Sequence, residues 1–330
     1  LDVPYVEDAS GKRMVNPIQL AAAVAGSILS VCFLLTCPEP ALARPVMTSS
    51  DAAAATGLPV APPPSQQAEA PPRGRVYLFR GALGPIFSRG MDSLTDQLEH
   101  AGIKADVYEF TICRLIAAQA IADYRKDPAP IVLIGHSMGG LCALTFADIL
   151  REEDIPVSLV VTIDPAHASP KVPLNVERYI NVFLSNSVLG GGDVVAKQGY
   201  QGHYASFDLS RHEEVTHINI DKMDSIHQQL VDTIVQLAAT PARAEGEAVP
   251  LRYVVPPDRP IELWDSGIPL AARSGDTLLK LAELHHVPLW ALTQINQMPD
   301  SVPLTVGQRV IIPRHLLPAA SGPAKWPAAR

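Results

Sequence analysis

Between residues 74 and 240, short apolar runs alternate with stretches whose apolar residues recur every three or four positions. The runs at 76–79, 105–110, 131–134, 157–163 and 179–184 predict strands, and the periodic stretches at 91–101, 115–124 and 138–151 predict helices between them. Strands alternating with helices imply a mostly parallel sheet covered on both faces, an α/β class of fold.

The ends of the chain follow other rules. Residues 18–36 are almost uninterruptedly small and apolar, with Lys12 and Arg13 before them and Ala41-Leu42-Ala43 after. That is the layout of a secretory leader, with Met14 as a nearer start; the run is also long enough for a retained membrane anchor, and either reading exports the rest of the chain to the periplasm or cell envelope. Residues 44–73 are Ala- and Pro-rich, including Pro62-Pro63-Pro64, and predict a semi-extended spacer. A second such stretch covers 241–260 with Pro256-Pro257. The expected organisation is therefore a leader or anchor at 1–43, a linker at 44–73, a folded unit at 74–240, a linker at 241–260, a small unit at 261–316 and a tail at 317–330.

Composition narrows the function. Twenty-six Lys and Arg against 34 Asp and Glu leave a net charge of −8, which excludes a dedicated nucleic-acid binder. Four cysteines are too few for a disulfide scaffold, although Cys113 and Cys142 could pair outside the cell. His203, His212, His217 and His227 fall close together without metal-ligand spacing, so neither a metal nor a cofactor is expected.

The most specific signal is Ile131-Val132-Leu133-Ile134-Gly135-His136-Ser137-Met138-Gly139-Gly140, an apolar strand, a G-x-S-x-G turn and a helix start. Ser137 would sit on a strained turn where Gly135 and Gly139 remove clashing side chains, and the Met138 N–H would point to where an oxyanion forms. This unit resembles the α/β-hydrolases of the lipase, esterase and thioesterase kind, in which G-H-S-M-G-G is common. The resemblance implies a triad in the order Ser, acid, His. Asp164 in Asp164-Pro165-Ala166, similar to the acid segment of pancreatic-type lipases, is the first choice for the acid, with Asp193 as the alternative; His217 is the first choice for the base, with His227 as the alternative. The second oxyanion donor would be Ala82 or Leu83 after Arg80-Gly81, where the family usually has His-Gly, and Arg80 is either a surface residue or a contact for an anionic substrate group. The short spacing from Asp164 to Val176 leaves no room for a helical cap, and the Gly-rich segment 190–202 could act as a flap.

The second unit reads Gly275-Asp276-Thr277-Leu278 at its start, Asn296 midway and Val306-Gly307-Gln308-Arg309-Val310-Ile311-Ile312-Pro313 at its end. It resembles a LysM domain, a small α+β module of βααβ order. The resemblance implies binding of peptidoglycan or chitin-type glycans through Gly275, Asp276 and Thr277, and through Asn296, Met298 and Pro299. Asp276 is also expected to cap the first helix of the module. Together the two units predict an exported serine hydrolase acting on an ester or thioester near cell-wall glycan; the competing reading is a non-catalytic wall-binding protein on a degenerate hydrolase scaffold.

Overall fold

The computed structural model describes residues 5–7, 13–15, 74–239, 247–300 and 302–315. The chain divides into two units, 1–66 and 67–330. In the first, β1 (Tyr5–Glu7) and β2 (Arg13–Val15) pair antiparallel with Tyr5 opposite Val15. The apolar run 18–36, the spacer 44–73 and the tail lie outside the described residues, among which no helix is long and apolar enough to cross a membrane.

The second unit is built on seven strands: β3 (Arg75–Arg80), β4 (Lys104–Glu109), β5 (Ile131–His136), β6 (Leu159–Ile163), β7 (Arg178–Phe183), β8 (His203–Asp208) and β9 (Leu251–Val254). They are all parallel, in the order β4-β3-β5-β6-β7-β8-β9. Alternation along β3 divides the core: Val76 and Leu78 join Leu94 and Leu98 of α2 (Arg89–His100) and Leu230 and Ile234 of α5 (Asp224–Ala239) on one face. Tyr77 and Phe79 join Ile116 of α3 (Cys113–Lys126) and Phe146 of α4 (Met138–Glu152) on the other. A short α1 (Gly84–Phe87) precedes α2. The strand order and helices on both faces, with a strand-to-helix elbow after β5, make this an α/β-hydrolase fold.

Two segments depart from the sequence reading. The stretch 241–260, expected to be a linker, contains β9, which extends the sheet beside β8 with Ala205 opposite Leu251. Its prolines flank the strand and leave its backbone donors free to pair, as an outer strand allows. The expected flap at 190–202 is tied down instead: Val172 N–H donates to Val195 O at 3.0 Å, Lys197 N–H returns to Val172 O at 3.0 Å, and Val194 is buried.

The C-terminal module consists of β10 (Trp264–Ala271), α6 (Leu278–His285), α7 (Leu289–Asn296) and β11 (Arg309–His315), with the two strands antiparallel. It has a small core of its own around Leu278, Leu281, Leu292, Val310 and Ile312. Thr277, not Asp276, caps α6, its Oγ1 accepting from Lys280 N–H at 3.2 Å; Asp276 instead closes the preceding turn by accepting from Arg273 N–H at 2.7 Å. The cap falls one residue later because Thr277 is the last extended residue, with φ −135° and ψ 160°.

The module is joined to the sheet by packing as well as by chain. Trp264 is fully buried against Phe207 and Tyr253, with ring centroids 5.9 and 5.2 Å away, and Trp290 meets Tyr253 edge-on at 5.6 Å. Gln294 of α7 covers the outer edge of β9, accepting from Val254 N–H at 2.8 Å and donating to Val254 O at 3.1 Å. Next to Trp264 in the chain, Asp265, 2% exposed, accepts from Arg178 Nε at 3.2 Å and from Arg314 Nε at 2.8 Å. The adjacent Ser266 Oγ hydrogen-bonds His203 Nδ1 at 2.8 Å. Arg178 and His203 open β7 and β8, so this polar cluster sits at the N-terminal ends of the strands.

Candidate active site

Ser137 stands between β5 and α4 at φ 56° and ψ −121°, a left-handed conformation costly for a residue with a side chain. The glycines around it are required by close approach: a Cβ on Gly135 would meet Gly139 O at 2.1 Å, and one on Gly139 would meet Phe79 O at 2.1 Å. The chain leaving β3 crosses the same spot, since a Cβ on Gly81 would lie 2.7 Å from Ser137 Cβ. This packing sets the Gly81-Ala82-Leu83 backbone beside the serine hydroxyl, and Ala82 and Leu83 are exposed there.

His217, in the loop after β8, places Nε2 3.1 Å from Ser137 Oγ. Its Nδ1–H donates to Asp164 Oδ2 at 2.6 Å. Asp164 follows β6, is fully buried, and is held at φ 40°. Its other oxygen, Oδ1, accepts from Leu184 N–H at 3.1 Å and Gly191 N–H at 2.8 Å, so the Gly-rich segment orients the carboxylate. The two alternatives lie elsewhere. Asp193 is paired with Arg252 Nη1 at 2.6 Å, and His227 is buried in α5 with Nε2–H donating to Asp221 O at 2.7 Å. Arg80 does not reach toward a substrate group: it donates to Asp92 at 3.0 Å through Nε and to Glu109 at 3.0 Å through Nη1, which ties β3 to α2 and β4.

A second layer of residues escaped the sequence reading. His136, 1% exposed, faces the backbone carbonyl of His217 with Nε2 at 2.9 Å. A carbonyl can only accept, so Nε2 carries the proton and Nδ1 accepts from Ser88 Oγ–H at 2.8 Å. Ser88 Oγ in turn accepts from Gly81 N–H at 3.0 Å. Burial, together with the charge of nearby His217, lowers the His136 pKa to about 4, so this ring stays neutral beside a neighbour 4.8 Å away. The loop carrying the base and the loop after β3 thus hang from one imidazole. Asp221 adds a further tie, accepting from Gly90 N–H at 2.9 Å, and Lys222 Nζ reaches Phe87 O at 3.3 Å. His136 lies inside the elbow motif and was in view; Ser88, Asp221 and Lys222 carry no local pattern.

Leu83 and Ile86, in and after the loop that leaves β3, and Ile218, next to His217, are exposed, and among the described residues the connections from β6 to β7 and from β7 to β8 contain no helix. No cluster of His, Cys, Asp and Glu among the described residues is arranged to hold a metal.

In the C-terminal module, Gly275 and Gly307 have φ of 82° and 83° and open space where a side chain would go. Asn296 is spent internally: Oδ1 accepts from Ile311 N–H at 2.7 Å, and Nδ2 donates to Leu292 O at 2.9 Å and to Ile311 O at 2.8 Å. Gln308 Nε2–H donates to Met298 Sδ at 3.1 Å. Residues 272–313 match the LysM domain family. This segment is a LysM domain. Gly275, Asp276 and Thr277 form the turn before α6, with Gly275 exposed and Asp276 and Thr277 half-buried, whereas Asn296 pins α7 to β11.

For the whole chain, a comparison with curated proteins found no sequence match. Solved structures similar to it include a protein from Xanthomonas campestris pv. campestris assigned to the alpha/beta hydrolase superfamily, at 15% identity and TM-score 0.32, covering 50% of this chain and 98% of that one. Another is the esterase domain of a Rhodothermus marinus protein, at 15% identity and TM-score 0.35, covering 52% of this chain and 89% of the other. The NocB thioesterase domain, solved in covalent complex with a fluorophosphonate nocardicin G analog, matches at 13% identity and TM-score 0.30 over 51% of this chain and 95% of its own.

Proposed function

We propose that the chain is an exported serine hydrolase that cleaves an ester or thioester and is held at cell-wall glycan by its LysM domain. The observation carrying this reading is the hydrogen-bonded series Ser137 Oγ, His217 and Asp164 on a strained elbow. Ser137 Oγ attacks the acyl carbonyl as His217 Nε2 takes its proton, and Asp164 holds Nδ1–H and steadies the imidazolium. The backbone N–H groups of Met138 and of Ala82 or Leu83 receive the oxyanion. Collapse of the tetrahedral intermediate breaks the bond to the leaving group, which takes the proton from His217. Water, deprotonated by the same nitrogen, then attacks the acyl-serine and returns Ser137. Helix-free β6–β7 and β7–β8 connections and the exposed Leu83, Ile86 and Ile218 suit an acyl group presented on a bulky or immobilised molecule. The LysM domain supplies the second half of the reading, and the turn Gly275-Asp276-Thr277 is its proposed glycan contact.

The test is intact-mass detection of a fluorophosphonate adduct on the full chain beside Ser137→Ala, followed by hydrolysis of p-nitrophenyl esters and acyl thioesters. One adduct, lost in the variant, is expected; folded protein that takes up no adduct overturns the hydrolase reading. Co-sedimentation with insoluble peptidoglycan and chitin tests the LysM half separately, and failure to sediment with either overturns it.

A further inference from the structure

Two buried side chains that the proposed reaction does not consume, Ser88 and His136, join the loops on either side of Ser137. Each link in this relay has one chemical sense, because a backbone N–H only donates and a carbonyl only accepts. Gly81 N–H donates to Ser88 Oγ at 3.0 Å, Ser88 Oγ–H to His136 Nδ1 at 2.8 Å, and His136 Nε2–H to His217 O at 2.9 Å. Burial, with the charge of His217, lowers the His136 pKa to about 4, so at neutral pH the ring keeps the one donor and one acceptor that the relay needs. The ends of the relay meet the reacting groups. Gly81 packs so closely on the nucleophile that a Cβ there would lie 2.7 Å from Ser137 Cβ and 3.2 Å from Oγ, and the next two residues carry the proposed second oxyanion donor. The carbonyl at the other end belongs to His217, whose Nε2 stands 3.1 Å from Ser137 Oγ.

Gly81 N–H is spent on Ser88, so it sets the direction of the loop rather than receiving the oxyanion itself. Resting on the hydrolase reading above, we propose that Ser88 and His136 are positioning residues that hold the oxyanion loop and the general base in register with each other across Ser137. Neither side chain exchanges a proton with substrate. Their effect therefore falls on the transition state, where charge develops on the oxyanion and on His217, and leaves ground-state binding nearly untouched. A displacement of about 1 Å at groups of this kind costs about 10²-fold in rate. The two arms of the relay separate by substitution, because Asn places an amide oxygen close to the position of Nδ1 and Gln places an amide nitrogen close to that of Nε2. His136→Asn thus keeps an acceptor for Ser88 and drops the tie to the base loop, whereas His136→Gln keeps the donor for His217 O and drops the tie to Ser88.

The experiment uses the full chain as wild type, Ser88→Ala, His136→Asn, His136→Gln and the two double variants that combine Ser88→Ala with each His136 change. Each is titrated to completion with a fluorophosphonate, so that kcat is counted per reactive serine and loss of folded protein does not enter, and kcat and KM are measured on a p-nitrophenyl ester. Ser88→Ala, which removes one oxygen atom and adds no bulk, carries the test alone if the His136 variants do not fold. Each single variant should lower kcat by about 10- to 100-fold with KM within about twofold of wild type. Ser88→Ala with His136→Gln should be no slower than the slower of its parents, since both cut the same arm, whereas Ser88→Ala with His136→Asn should multiply the two losses. A Ser88→Ala chain that labels fully and turns over within twofold of wild type, a loss carried by KM, or multiplied losses in the Ser88→Ala, His136→Gln double variant would overturn the positioning role and leave the hydrolase reading standing. A folded wild type that takes up no fluorophosphonate would overturn both.

Discussion

Asp265→Ala should destabilise the whole 67–330 unit, because it leaves two arginines without their anion. The Asp265 side chain is 3% exposed, and those of Arg178 and Arg314 are 5% and 14% exposed. Two pairs near 3 Å would each attract by roughly 5 kcal/mol at an effective dielectric of about 20, most of it offset by desolvation in the intact cluster. Removing the carboxylate forfeits the attraction while the guanidiniums stay buried, a loss of about 3–5 kcal/mol. Asp265 touches both the LysM strands and the starts of β7 and β8, so the loss falls on the joint itself. Urea denaturation followed by tryptophan fluorescence and far-ultraviolet circular dichroism reads this directly, since Trp264 and Trp290 both report from that joint. With a slope of about 2–3 kcal/mol per molar urea, the midpoint should fall by roughly 1–2 M. The exposed pair Arg309 and Glu247 is the control, where Glu247→Ala should cost under about 1 kcal/mol. A loss from Asp265→Ala no larger than from Glu247→Ala would refute the assignment of this cluster as the joint's anchor.

Four further outcomes are expected. If the proposed hydrolysis holds, Asp164→Asn should lower kcat on an accepted ester by about 10⁴-fold, by analogy with triad carboxylates, whereas Asp193→Asn should change it less than tenfold because its partner is Arg252; comparable losses from the two would contradict the geometry. Burial pushes the Asp221 carboxyl up to about 6, so the folded chain keeps a proton that the unfolded chain releases near pH 4, and stability from this group is lost as pH rises through 6. Asp221→Asn should therefore be more stable than wild type at pH 7, by up to about 2–3 kcal/mol, with the difference vanishing below pH 4; a less stable variant at pH 7 would count against this. His203, whose pKa burial lowers to about 4, acts in the opposite sense: it loses stability as pH falls from about 6.5 through 4, and His203→Gln should flatten that part of the melting-temperature profile. Finally, Asn296→Ala should cost about 1–3 kcal/mol with or without glycan, as it strips the two backbone groups of Ile311 of their partner.

Local chemistry decided what could be read from the sequence. Ser137 was legible because its whole requirement, an apolar strand, two close-packed glycines and a helix start, lies within ten consecutive residues. Asp164 and His217 were first choices over Asp193 and His227 through the family resemblance, while the hydrogen bonds that join them to Ser137 and engage the alternatives elsewhere needed three dimensions. The strand β8 left no apolar run, because His203, Ser206 and Asp208 are buried in it against polar partners supplied by distant residues: Ser266 for His203, Asn181 for Ser206, and Ser185 N–H for Asp208. The strand β9 is four residues between prolines, and nothing within it says that Trp264 and Gln294 will close over it. Arg80 was misread for the same reason, since Asp92 and Glu109 lie on other elements.

The seating of the LysM domain on Tyr253 and Phe207 bears on how the proposed enzyme would search a surface. A catalytic domain on a flexible leash samples a volume set by leash length, and its local concentration of substrate falls as the leash grows. Here Trp264, Asp265 and Gln294 remove that freedom, so a glycan bound at Gly275 and an acyl group at Ser137 would be held at one spacing and one angle. Such a molecule works as a caliper: it would cleave only groups that the polymer carries at the matching offset, and lengthening the chain between the domains would not extend its reach until that joint opened.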